Sequence, residues 1–534
     1  MNKKKKLKLK KFKLHPITAY LILIVLTFVF SGIFSLFEMQ STYNVVGMQS
    51  GMLEKTLVNV NSLLNYEGIR DFISKATVNF VTFTPLSMLL ISLLGVGIAE
   101  SSGLLDTVIR KRLLKLNGAF LTFLIIFIAT ISSLINEVGF AIMIPLAALL
   151  YLYKGRNPLV GIIAAFSGVA FGYGTTIFVG SMEIALNSVT ESAARLIYPM
   201  YHVGLSSNLI IMIVTSIILS IVGTFIIEKI IIKKLGTYKV TNELRKTQEI
   251  KVLSKQVVSD YEQDKIAREK GEKKGLRNAL IVSIIIVLLF IYMLIPNLPW
   301  SGMLLDLSEK TYVNQLFGQK SYFQDGFTFM VALLFMFAGL AYGIGAKTIK
   351  SDRDIVKGFS KYMSNIGEIL LLLFVASQFV ALFKTTNLGT VITGWGATLV
   401  ESLKFSGIPL VILCIIVIAI SNLFLTSSAA KWIILSPVMV PMLTQSNISP
   451  QFAQFIFRAA DSMTNGFTPL LASFVLFVGY LNIYNDDKEN PIGIRKALGY
   501  ISPYFIIISI TWIVLLVGWY LLGLPIGPGV YPTL

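Results

Sequence analysis

Asp461 stands eleven residues beyond Pro450, inside an apolar stretch that runs to about residue 483. An ionisable side chain at that depth of a membrane segment costs about 2.5–3.5 kcal/mol on insertion scales unless a partner or water receives it. Arg458, three residues earlier, falls on the same helical face and offers a partner, so a buried ion pair is one reading. An ion or substrate site is the favoured one, because Ser462, Thr464, Asn465, Thr468 and Pro469 follow, weakening the helix and presenting oxygen ligands. A second apolar run carries Asn422, Ser427, Ser428, Lys431 and Trp432. Hydroxyls can bond back to their own helix carbonyls, but an amide and an amine at membrane depth need partners. Trp432 offers a flat face to an aromatic or guanidinium-like group, with a place in an interfacial aromatic belt as the alternative. Earlier in the chain, Asn136 and Glu137 interrupt an apolar run, and Glu183 follows the glycine-rich break Ser167–Thr176. The chemistry such residues support is reversible binding of a polar solute and a cation, with Asp461 and Asn422 the candidate Na+ ligands.

Other chemistries lack their residues. Gly343-Ile344-Gly345-Ala346-Lys347-Thr348 resembles a phosphate loop, but Ala346 stands where a glycine must precede the lysine, and no strand leads into it. There is no His-Glu-x-x-His pattern, only His15 and His202 are present, and the single cysteine, Cys414, excludes both an internal disulfide and a thiolate cluster. No cofactor is expected, and an enzyme is not.

The elements that must position these groups are membrane helices. The chain is 55% hydrophobic and 14% charged, with a mean hydropathy of +0.74, the composition of a polytopic membrane protein. Its net charge of +18 sits largely in Lys3–Lys13 and between apolar segments, which reads as positive-inside topology and attraction to anionic lipid rather than nucleic-acid binding. Two apolar stretches, Ala119–Tyr153 and Ile408–Leu443, are too long for one crossing and break at polar residues. With about 20 residues needed per span, each reads as a re-entrant helical hairpin.

The fold expected is an all-α polytopic membrane protein of nine transmembrane helices plus two re-entrant hairpins. The spans fall near 17–37, 80–104, 158–194, 206–232, 278–296, 326–346, 364–384, 450–483 and 499–523. The basic tail 1–16 lies in the cytoplasm, and the run 17–37 lacks a convincing cleavage site, so it is kept as the first span. A first half, 17–235 with hairpin 119–153, joins a second half, 278–534 with hairpin 406–443, through a charged cytoplasmic linker, 236–277. The order span, hairpin, span, span occurs twice with opposite orientation and leaves the C-terminus outside. Inverted repeats with interrupted helices at mid-membrane characterise secondary transporters.

Several separated motifs resemble one family, the AbgT family of p-aminobenzoyl-glutamate transporters. They are Leu94-Gly95-Val96-Gly97-Ile98-Ala99-Glu100-Ser101-Ser102-Gly103, Ala341-Tyr342-Gly343-Ile344-Gly345, Ala429-Ala430-Lys431-Trp432 and Arg458-Ala459-Ala460-Asp461-Ser462-Met463-Thr464-Asn465. The resemblance runs along nearly the whole chain. It implies nine spans with two hairpins, a homodimer, and transport of p-aminobenzoyl-glutamate or cation-driven export of sulfonamide antimetabolites. By matching motif it implies that Asn422, Trp432, Asp461 and Pro469 form the substrate and ion site. The chain departs from the family pattern at Ala429, where relatives show Ser, at Glu183, where they show Asp, and at Asn136-Glu137, where a Ser-Asp pair is expected.

The expected function is therefore a secondary active transporter in a bacterial plasma membrane, driven by a sodium or proton gradient. Its site residues are Asn422, Ser427, Ser428, Trp432, Arg458, Asp461, Asn465, Pro469, Asn136, Glu137 and Glu183. Its partners are a small-molecule substrate, membrane lipid and a second copy of the chain. A dicarboxylate or citrate carrier of the same architecture is the alternative, and a passive channel the reading from another class.

Overall fold

The computed structural model describes residues 14–534 apart from 48–49, 112–114, 136, 239–259, 319, 364–365 and 488. The basic tail through residue 13, Asn136 and the middle of the charged linker thus lie outside the described residues.

In hydrocarbon every backbone polar group must be satisfied within its own segment, so apolar runs of this length fold as helices. Eight helices of the described residues are long and apolar enough to cross a membrane: Pro16–Leu36, Thr84–Ser101, Leu209–Leu235, Glu269–Met293, Tyr322–Ala346, Gly367–Thr385, Gly407–Phe424 and Ile494–Leu522. Seven coincide with expected continuous spans, and Gly407–Phe424 is the first arm of the second hairpin. The two remaining expected spans are the broken ones. The first runs Pro158–Phe171, pauses, and resumes as Ser181–Ala194. The second runs Pro450–Asn465 and resumes as Ala472–Ile483. Both begin alike, with a side-chain cap before a proline: Asn157 accepts from Leu159 N and Ser449 from Phe452 N. The cap meets otherwise orphaned donors and proline is suited to the first helical position.

Each break is preceded by a helix–turn–helix unit. Gly118–Ile131 ends in a 3-10 turn, Ser132–Ile135, before Val138–Tyr153. Gly407–Phe424 turns within Leu425–Ser427 into Ser428–Gln445, which Ser427 caps by accepting from Ala430 N. The element order recurs through the two halves. Thr84–Ser101, the short helix Leu104–Lys111, the hairpin, the broken helix and Leu209–Leu235 are matched by Gly367–Thr385, Leu388–Leu403, the hairpin, the broken helix and Ile494–Leu522.

Burial ranks these elements. Every residue of Pro158–Phe171 and of Pro450–Asn465 is buried, so the first arms of the broken helices form the centre of the molecule. At the other extreme, only 6% of the most apolar window of Glu269–Met293 is buried, which leaves Leu280, Ile284, Ile285 and Leu288 facing outward. A helix that is apolar all round and unburied has lipid as its solvent.

The helical fold expected from sequence also carries one β-ribbon among the described residues. Gln40–Val46 and Leu53–Asn59 pair as an antiparallel ribbon, with Tyr43 opposite Thr56. Charge balance marks this segment as exposed without distinguishing strand from loop, although Thr42, Tyr43, Val45, Val46, Thr56 and Val58 have strand propensity. The ribbon rests on Leu388–Leu403, whose Trp395 Nε1 donates to Gln40 O at 2.9 Å. The charged linker is helical at its far end. One continuous helix, Asp260–Met293, carries the charged segment into the membrane helix, and Glu272 on it pairs with Arg110 at 2.5 Å and Lys111 at 2.9 Å.

Candidate functional site

The helix Pro450–Asn465 is wholly buried yet only half apolar, so its polar side chains must find partners inside the protein. Gln451, Gln454, Arg458, Asp461 and Asn465 recur at intervals of three, four, three and four, which places them along one face. Each meets a different element. Tyr201 donates its hydroxyl to Gln451 Oε1 at 2.8 Å. Gln454 accepts from Asn208 Nδ2 at 2.9 Å and donates to Asn187 Oδ1 at 2.8 Å. Arg458 forms a very short ion pair with Glu183 and donates from Nε to Gly174 O at 3.0 Å. Asp461 meets the second hairpin, and Asn465 lines a cavity.

The pairing around Asp461 differs from the Arg458 pair that one sequence reading offered. Arg458 is not its partner: its guanidinium reaches the helix Ser181–Ala194, where Glu183 receives it. Asp461 instead holds Lys431, with Nζ 2.5 Å from Oδ1, and accepts from Ser428 Oγ at 2.5 Å through Oδ2. Lys431 also donates to Asn422 Oδ1 at 2.5 Å. Asn422 in turn donates from Nδ2 to Asp461 O at 2.6 Å and to Thr464 Oγ1 at 3.2 Å. Lys431 and Asn422 are fully buried and Asp461 is 1% exposed. The result is a closed network of one anion, one cation and an amide, fixed by the hairpin turn on one side and the central helix on the other.

The halves also touch through backbone at the first break. Gly174 N donates to Ser462 Oγ at 2.6 Å, and a Cβ at Gly174 would stand 2.7 Å from both Arg458 O and Ser462 Oγ. Neither obstacle is the loose end of a long chain, so the backbone must shift. Gly174→Ala is expected to lower stability by about 1–3 kcal/mol, read as a reduced thermal midpoint of the detergent-purified protein; an unchanged midpoint would show that the first break and the helix Pro450–Asn465 do not pack this closely.

A cavity of about 370 Å³ opens between the hairpin turns and the helix Ser181–Ala194. Phe140, Tyr173, Met182, Leu186 and Leu471 give it apolar walls, while Glu137, Ser181, Thr426, Ser427, Ser428 and Asn465 supply polar groups. Glu137 accepts from Ser473 Oγ at 2.6 Å. None of the lining residues is Lys or Arg. Ser428 belongs to both the cavity wall and the Asp461 network, so a single hydroxyl lies between the two.

Chains of this arrangement have relatives. A model of the AbgT transporter family matches residues 11–534. The p-aminobenzoyl-glutamate transport protein of Escherichia coli (strain K12) is 31% identical over 520 residues, covering 97% of this chain and 94% of that one. The chain belongs to the AbgT family. It is thus a multi-pass membrane transporter, not an enzyme. Among solved structures, the Alcanivorax borkumensis YdaH transporter is 26% identical, with a TM-score of 0.47 over 96% of this chain and 100% of that one. Neisseria gonorrhoeae MtrF, described among antimetabolite efflux pumps, is 31% identical, with a TM-score of 0.46 over 97% of this chain and 98% of that one.

In this AbgT chain the site residues read from sequence separate into three groups. Asn422, Ser428 and Asp461 form the Lys431 network, while Ser427, Ser428, Asn465 and Glu137 line the cavity. Glu183 and Arg458 pair with each other. Trp432 stands apart from the cavity lining. Its ring packs on Phe457 with centroids 4.5 Å apart, its Nε1 donates to Thr190 Oγ1 at 2.8 Å, and it is fully buried. The indole that looked free to stack on a solute is occupied by the protein, because the turn of the second hairpin points it into the helix junction. Pro469 lies in the second break, where its carbonyl accepts from Tyr20 at 3.3 Å. Asn136 lies outside the described residues. The sequence reading missed Gln451, Gln454, Asn187, Asn208 and Tyr201, although the polar spacing along Pro450–Asn465 was available as a signal.

Proposed function

We propose that the chain is a secondary active transporter of p-aminobenzoyl-glutamate or related aromatic antimetabolites, sulfonamides included, driven by a sodium or proton gradient. The cavity carries this reading. Its volume falls in the range of small-molecule sites of about 300–1,000 Å³, its walls are aromatic and aliphatic, and its polar groups are hydroxyls, one amide and one carboxylate. An aminobenzoyl or sulfanilyl ring suits the walls, and its amine suits Glu137 as an acceptor. The relative named for p-aminobenzoyl-glutamate transport supports the same solute class.

A citrate or dicarboxylate carrier is disfavoured by the same lining, since a small polycarboxylate has no apolar part to set against the aromatic and aliphatic walls. p-Aminobenzoyl-glutamate also carries two carboxylates, but both lie at its glutamate end, and its aminobenzoyl ring suits the apolar walls. Trp432→Leu would test packing rather than solute class, because the indole is part of the helix junction. A passive channel would need a continuous aqueous path where two buried ion pairs and an amide ladder now close the helix junction.

In the transport cycle we propose, residues 17–235 and 278–534 act as two inverted halves joined by 236–277 and rock about the broken helices. Asp461 and Asn422, hard oxygen donors, hold the coupling cation, and Ser428 links it to the solute. The protein works as a homodimer in a bacterial plasma membrane, with its N-terminus in the cytoplasm and its C-terminus outside. The test is flux of labelled p-aminobenzoyl-glutamate in proteoliposomes, with sodium and proton gradients imposed separately. Gradient-dependent flux that a neutral sulfonamide inhibits and citrate does not is expected. Citrate-selective flux would overturn the solute assignment, and non-saturating flux without a gradient would overturn coupling.

A further inference from the structure

Two buried ion pairs lie within one helical turn of each other on Pro450–Asn465, and they are chemically unlike. Arg458 and Glu183 join the halves through a planar guanidinium that is always charged and keeps a fixed fork, which suits a structural clamp. Lys431 brings a compact monovalent charge on a flexible stem. Its Nζ is 2.5 Å from Asp461 Oδ1 and 2.5 Å from Asn422 Oδ1. Those oxygens, one carboxylate and one amide carbonyl, are of the type that a hard monovalent cation takes as ligands. The ammonium therefore satisfies, with the same charge and the same atoms, the requirement that a free cation would satisfy.

We propose that Lys431 is a tethered cation that holds the coupling-ion position between Asp461 and Asn422, and that a free monovalent cation binds there only in exchange for it. The inference rests on the reading that Asp461 and Asn422 form the ion site. Its physical basis is charge accounting in a medium that does not tolerate an unpaired carboxylate. With Lys431 in place, Asp461 is neutralised; with Lys431 withdrawn, a cation must enter or the carboxylate stands alone. Exchange of one for the other keeps the core neutral through the cycle and makes cation entry conditional on movement of the second hairpin. Ser428 lies at the cavity wall and on Asp461, which places the exchange under the influence of the solute.

The experiment measures thermal unfolding of the full-length detergent-purified protein while NaCl replaces choline chloride at constant ionic strength. Lys431→Met leaves Asp461 without its partner, and Na+ is expected to raise its unfolding midpoint saturably, at a concentration at least tenfold lower than for the unsubstituted protein. The double variant Lys431→Met/Asp461→Asn removes both charges and is expected to show no specific response to Na+. Should Lys431→Met not fold in any salt, Lys431→Gln, which keeps a donor toward Asp461, takes its place in the same titration. A single variant that responds to Na+ no better than the parent, or a double variant that keeps the response, overturns the proposal. Because no solute is present, an enhanced Na+ response together with absent p-aminobenzoyl-glutamate flux would count against the solute assignment alone.

Discussion

Asp461→Asn is expected to reduce gradient-driven flux to the level of empty vesicles and to destabilise the protein by about 3–5 kcal/mol. The side chain keeps its size and loses its charge, so Lys431 remains as a buried ammonium among neutral acceptors only, Asn422 Oδ1 at 2.5 Å being one of them. Removing one member of a buried pair costs more than the pair is worth, because the survivor keeps its desolvation penalty. Stability and transport then separate through a second substitution. Lys431→Met added to Asp461→Asn removes the stranded charge and is expected to recover most of the thermal midpoint, while flux stays at background because the charge that recruits the cation is gone. Flux near normal in either Asp461 variant would remove this carboxylate from the mechanism.

Much of this site was legible because membrane depth makes polar residues expensive. Asp461, Asn422 and Glu183 were recognisable from type and position alone, and the breaks within Ser167–Thr176 and after the polar run Ser462–Pro469 from helix-weakening composition. Partner choice was not legible. Arg458 and Asp461 share a helical face, but a helix in the centre of a bundle presents successive residues of one face to different neighbours, so the guanidinium met Glu183 from the first half and the carboxylate met Lys431 from the hairpin. Trp432 failed for the same reason: a residue near a turn can face the cavity or the helix junction, and its spacing from Lys431 does not say which. The ribbon Gln40–Asn59 was hidden because hydropathy and charge report exposure rather than backbone form. Element order was the most secure inference, since apolar length and proline or glycine breaks depend on no tertiary choice.

The clamp between the halves gives the second large effect. Arg458 is fully buried and Glu183 is 2% exposed, and Glu183 Oε2 also accepts from Gly180 N at 2.6 Å, closing the start of Ser181–Ala194. Glu183→Gln retains the size and the cap acceptor but leaves Arg458 with Gly174 O alone among its hydrogen-bond acceptors, and a loss of about 3–5 kcal/mol is expected. Arg458→Met should cost a similar amount by stranding Glu183. The double variant removes both charges, so it should unfold close to the parent, giving a coupling energy about equal to the two single losses together, roughly 6–10 kcal/mol and above the usual range of about 0.5–3 kcal/mol. Folding recovered in this way does not restore exchange between two arrangements. An apolar contact in place of the ion pair has no gain from re-forming with water or a different partner when the halves part, so solute flux should slow while its dependence on sodium or protons keeps the parent's form. Thermal midpoints of the four proteins and initial flux rates under each gradient decide it. Independent, additive losses from the two single substitutions would show that Glu183 and Arg458 do not act as one clamp.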